Sequence, residues 1–77
     1  MNRDEALEII SQEKHQNYVW FQRPENVVDC VAIYRDQDSW NVVNTDERAV
    51  IGAVRQFDNE AAALDLFIRR LRLSKLT

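Results

Sequence analysis

The sequence predicts an α+β domain ordered α-β-β-β-β-α, a four-stranded antiparallel meander with the N- and C-terminal helices packed on one face. Three observations predict it. Apolar residues recur at helical spacing near both ends, with Leu64, Phe67, Ile68 and Leu71 at i, i+3, i+4 and i+7 the clearest run. Between the ends lie stretches rich in β-branched and aromatic residues. Polar turn formers, Asp36-Gln37-Asp38-Ser39 and Thr45-Asp46-Glu47-Arg48, separate the later stretches.

The first helix is expected from Arg3 to about Gln16. Ala6, Leu7, Ile9 and Ile10 gather on one flank, Asn2 or Asp4 offers a cap, and the acids of the first turn suit the helix dipole. Tyr18–Gln22 reads as a strand that Pro24 brings to a close. Val27–Tyr34 is the longest β-like run, apolar on both faces except at Asp29, and reads as a central strand. A hairpin leads to Trp40–Asn44 and a second turn to Ala49–Phe57, where Gly52 signals a bulge or a close approach. Asp58 or Asn59 caps the last helix, which has Glu60 in its first turn and Arg69, Arg70, Arg72 and Lys75 towards its end. With 77 residues, one Gly and one Pro, there is room for one domain and no linker, so residues 1–77 read as a single unit.

Composition narrows the function classes. A net charge of −3 disfavours nucleic acid or an anionic membrane as ligand and favours a basic partner. Cys30 is the only cysteine, which suits a reducing compartment, and no stretch reaches membrane-spanning length, so a cytoplasmic setting is expected. No cofactor and no metal site are expected: His15 is the only histidine and reads as a surface residue, and one glycine cannot make a phosphate loop. Cys30, in the most apolar run, reads as a small buried hydrophobe. No nucleophile, base and orienting group come together, so the chain is expected to bind another macromolecule and not to catalyse.

The candidate contact residues fall in three groups. Asp36, Asp38, Asp46 and Glu47 stand in the two turns and read first as solvated turn chemistry, with an acidic edge that meets at one end of the sheet and docks a basic partner as the functional alternative. Tyr18, Trp20 and Asp29 suggest a sheet face open to a partner, although core is the first reading of Trp20 and Trp40. Ala62, Leu66 and Leu73 lie opposite the core stripe of the last helix and suggest a dimer contact or a second contact surface.

The run Asp29-Cys30-Val31, the hairpin into Trp40-Asn41-Val42, the Thr45-Asp46-Glu47-Arg48 turn before a hydrophobic strand, and the Glu60-Ala61-Ala62-Ala63-Leu64 helix together resemble the bacterial immunity protein 59 family. The resemblance spans nearly the whole chain. It implies a small cytosolic protein that neutralises a cognate polymorphic toxin by covering its active site or an exosite, a nuclease with a basic cleft being one such toxin. It implies no catalytic residues. In that family a glycine commonly follows the Asp-Glu-Arg run, where this chain has Ala49. Two other readings stay open: a homo-oligomeric adaptor, and a double-stranded RNA-binding domain of helix-sheet-helix order. Against the latter, Asp58-Asn59-Glu60 stands where basic residues should grip phosphate.

Overall fold

The computed structural model describes residues 1–75. Its elements are α1 (Arg3–Glu13), β1 (Tyr18–Trp20), β2 (Val31–Asp36), β3 (Ser39–Thr45), β4 (Ile51–Phe57) and α2 (Glu60–Lys75). The α+β class and the element order are those the sequence predicts. Strand order in the sheet is β1-β2-β3-β4, with β2–β3 and β3–β4 antiparallel.

The meander is not wholly antiparallel. β1 pairs with β2 in parallel, Tyr18 facing Val31 and Trp20 facing Ile33. Parallel neighbours need a crossover, so residues 21–30 carry the chain back along the sheet instead of turning tightly at Pro24. Half of the expected second strand is spent on this return. β2 begins only at Val31, Val27 and Val28 are exposed, and Asp29 lies outside the sheet with φ 50°. Asp29 therefore marks a loop and not an open central strand.

Both helices begin with side-chain caps. The Asn2 side chain accepts from the Glu5 amide at 2.8 Å while the Glu5 carboxylate accepts from the Asn2 amide at 3.2 Å, a reciprocal capping box. Asn59 accepts from the Ala62 amide at 2.8 Å and opens α2. Lys14, in the left-handed region with φ 58°, caps α1 after Glu13, three residues short of the Gln16 that the sequence pattern suggests.

The core lies between α2 and the sheet. Leu64, Phe67, Ile68 and Leu71 are buried as their spacing predicts, and they meet Val31, Ile33 and Val42. α1 packs on α2 and adds Ala6 and Ile10. Strand alternation turns Ala32, Asn41 and Val43 away from α2, yet all three are buried. Pro24 is buried as well, which fits a 21–30 connection crossing that far face.

Gly52 marks the bulge that the sequence suggests: the β3–β4 register shifts between Val42 and Asn44. The left-handed residue there is Ala53, φ 51°, beside the glycine and not the glycine itself. The β3–β4 turn shows the same preference set aside. Asp46 Oδ1 accepts from the Arg48 amide at 2.8 Å and the Val50 amide at 3.0 Å, and this holds Ala49 at φ 61°. A Cβ in that region costs about 1 kcal/mol, partly offset by the chain entropy that a glycine loses on folding. Ala49→Gly is accordingly expected to stabilise the domain by up to about 1 kcal/mol, read as a raised denaturant midpoint with unchanged slope.

Candidate interaction surface

The candidate residues do not form one site. Successive turns of a meander lie at opposite ends of their shared strand, and β3 has 7 residues. Asp36 and Asp38 are thus roughly 20 Å from Asp46 and Glu47. This corrects the expectation of a single acidic edge. Asp29 joins the second group, because its amide donates to the Asp46 carbonyl at 3.0 Å.

Within that second group Asp46 is committed to the fold. Its two amide hydrogen bonds, from Val50 first and Arg48 next, hold its carboxyl below the usual carboxylate range. Glu47 and Asp29 are exposed beside it. A polar cleft of about 290 Å³ opens there, lined by Asp29, Cys30, Asn44 and Thr45. Thr45 Oγ1 accepts from the Cys30 amide at 3.0 Å and donates to Cys30 Sγ at 3.2 Å. Cys30 is 3% exposed, so it is a buried member of this tie between loop and strand.

The hairpin end differs in character. A groove of about 230 Å³ runs between Phe21, Gln22 and Arg23 on one side and Tyr34, Arg35 and Asp36 on the other. The Arg35 guanidinium sits 4.8 Å from the centre of the Trp40 ring and donates to the Gln37 carbonyl at 3.2 Å. Trp40 is half-buried against the core, and its indole Nε1 is buried without a hydrogen-bond partner.

Tyr18 and Trp20 face the helices. Their rings lie 6.3 Å and 5.9 Å from the Phe67 ring, and both are half-buried against the core. The helical contact group also dissolves. Leu66 packs against the core and Ala62 is half-buried, while Leu73 alone is strongly exposed, at 57%. The cause is the width of the sheet beneath α2: β4 extends under the flank that carries Ala62 and Leu66.

A polar cluster that no sequence pattern announces joins the C-terminal ends of the helices. His15, expected at the surface, has a side chain only 3% exposed, with Nε2 2.9 Å from Glu13 Oε1. The left-handed Lys14 turns the chain so that His15 tucks in near Leu71. Glu13 also takes both Nε and Nη2 of Arg72, and its carbonyl accepts from Lys75 Nζ. The Arg72 hydrogen bond first, and His15 second, lower the Glu13 carboxyl from 4.5 to about 2. A carboxyl depressed in the folded state adds stability that is complete above about pH 4.5 and disappears as pH falls through about 2. Acid titration of Glu13→Gln should therefore lose a stability step in that window that the parent chain shows.

Among the described residues the ion pairs are confined to the helices and their ends. There Glu13, Glu60 and Asp65 each have a cationic partner, the last two through Arg3 at 2.6 Å and the N-terminal amine at 3.1 Å, whereas Asp4, Glu5 and Glu8 of α1 form no ion pair among the described residues. Glu25, Asp29, Asp36, Asp38 and Glu47, in the loops and turns of the sheet, are exposed and form no ion pair among the described residues. No helix among the described residues is long and apolar enough to cross a membrane, and none of their His, Cys, Asp and Glu side chains group to hold a metal ion. No family model, curated protein or solved structure matches this chain.

Proposed function

We propose that the chain works by binding and not by catalysis, as an immunity protein that neutralises a bacterial toxin domain by covering a basic surface on it. One observation carries this reading: five exposed carboxylates of the sheet layer form no ion pair among the described residues, whereas Glu13, Glu60 and Asp65 on the helices are tied into the fold. Unpaired surface acids steer a basic partner and set its orientation. The resemblance of the Thr45–Arg48 turn and of the flanking elements to immunity protein 59 points the same way.

The hairpin end is the better docking site of the two. Asp36 lines a groove whose walls also hold Tyr34 and Arg35, with Asp38 two residues further on in the turn; Arg35 stacks on Trp40, and tyrosine, tryptophan and arginine are the side chains that most often anchor interfaces. The opposite end has one of its acids, Asp46, tied into a turn. An adaptor that dimerises through Ala62, Leu66 and Leu73 is less well supported, because Leu66 serves the core.

The decisive experiment co-expresses the chain with the protein encoded beside its gene. That protein should be toxic alone, harmless with this chain, and recovered as a stoichiometric complex. In the complex, Asp36→Lys with Asp38→Lys should slow association roughly tenfold at low salt and flatten its salt dependence. Asp29→Lys with Glu47→Lys should do less. Survival unaffected by the chain, with no complex formed, removes the reading.

A further inference from the structure

The opposite charge has its own concentration. Residues 48–57 contain Arg48 and Arg55 and no acid, in a chain of net charge −3. They include β4, the long edge of the sheet, which has no neighbour on its outer side. The other edge, β1, has only 3 residues. Such an edge presents unpaired amides and carbonyls, and it is usually protected by charge, by a bulge or by a covering segment. Here the bulge lies towards Gly52 and Ala53, and Arg55, Gln56 and Phe57 keep regular register with β3.

Two arginines meet at this edge. Arg55 lies directly opposite Val42, and the Val42 carbonyl is within 3.3 Å of Arg70 Nη1. That same nitrogen donates to Asn44 Oδ1 at 2.9 Å and to the Ala53 carbonyl at 2.7 Å, which fixes the Arg70 guanidinium against the bulge. Its remaining N–H groups have no acceptor among the described residues, and neither arginine has a carboxylate partner there. Arg55 instead stacks over Phe57, 5.5 Å from the ring centre. Burial, with Arg55 adding to it, holds the Arg70 guanidinium below its ordinary value, the mark of a cation short of a counter-charge. Of the other arginines, Arg3 has Glu60 and Arg72 has Glu13, whereas Arg23, Arg35, Arg48 and Arg69, also without a carboxylate partner among the described residues, are exposed to water and Arg70 is half-buried.

We propose that the outer edge of β4 receives an extended peptide segment of a partner protein, added as a fifth strand, with an acidic side chain set against Arg55 and Arg70. Alternation defines the segment further. Arg55 shares the helix-side face with Val42, whereas Val54, 51% exposed, points to the other face. The incoming strand therefore carries acids on one side and apolar residues on the other, backbone pairing giving affinity and the charge pair giving register. A second copy of this chain is a poor occupant, because β4 itself offers an arginine and no acid. This edge lies one strand beyond the hairpin groove, Phe57 pairing with Trp40, but it is tested by Arg55 variants and a peptide and not by Asp36 and Asp38 variants and the toxin, so its failure leaves the toxin reading untouched.

The test is a titration of the isotope-labelled full chain with a blocked peptide, Thr-Val-Glu-Val-Glu-Val-Thr, and with the same peptide bearing glutamine for glutamate. The glutamate peptide should give saturable amide shifts confined to Val54–Phe57 and the Arg70 side chain, weakened by salt. Arg55→Glu should weaken binding roughly tenfold or more, and Arg55→Gln by less, with all other resonances in place. Equal binding of the glutamine peptide overturns the proposal, as do shifts located elsewhere. It is overturned too if inorganic phosphate moves these resonances while the peptide does not, or if they move on dilution of the free protein, the sign of a second copy.

Discussion

Phe67→Ala should lower the urea midpoint of the domain by a large fraction of its parent value. Phe67 is fully buried on α2 and touches both aromatic residues of β1, with rings at 6.3 Å for Tyr18 and 5.9 Å for Trp20. Truncating a buried phenylalanine costs about 3–5 kcal/mol, since the transfer energy is lost and the site collapses only in part. A domain this small has about 4–11 kcal/mol of total stability, so the substitution removes a large share of it. Far-ultraviolet circular dichroism during urea denaturation checks this. A midpoint within 0.5 M or so of the parent chain would show that the β1 aromatics do not rest on Phe67.

The second large effect is expected at Arg70. Arg70→Met keeps the length of the side chain and removes the donor that serves Val42, Asn44 and Ala53 together. Carbonyls left without a donor cost about 1–3 kcal/mol when buried, and because this site reaches solvent the lower half of that range applies. The loss should be local as well as global. Amide exchange at β4 should accelerate more than exchange in β2, since the bulge loses its fastener while the centre of the sheet is untouched. Uniform acceleration across the sheet would assign Arg70 no special part at the bulge.

The elements legible in the sequence are those fixed by local periodicity. The stripe from Leu64 to Leu71 has only one way to bury itself, and it did so. Pairing direction is different. A strand buries the same faces whether its neighbour runs parallel or antiparallel, so Tyr18–Trp20 carried no sign of its orientation; only the path of residues 21–30 decides it. That path also moved Asp29 out of the sheet, and it left Tyr18 and Trp20 on the helix side.

The candidate contact surface was less legible for two reasons. Left-handed positions are usually flagged by glycine, but Lys14, Ala49 and Ala53 occupy them here with ordinary side chains, so the turn that buries His15 was silent. The separation of the acidic turns, by contrast, follows from topology alone: two consecutive hairpins must point in opposite directions. Once the order of strands is known, Asp36 cannot neighbour Asp46.

The packing of α1 on α2 has a consequence for synthesis. The ion pairs that hold α1 join Met1 to Asp65, Arg3 to Glu60 and Glu13 to Arg72, so each waits for α2. α1 leaves the ribosome before the sheet and before the helix on which it rests. Until α2 emerges Ala6, Ile9 and Ile10 lack their cover, and an 11-residue helix is marginal in water by itself. A nascent chain arrested before Glu60 would therefore hold a sheet without its cover and a helix without its dock, the state in which a chaperone or a protease would meet it.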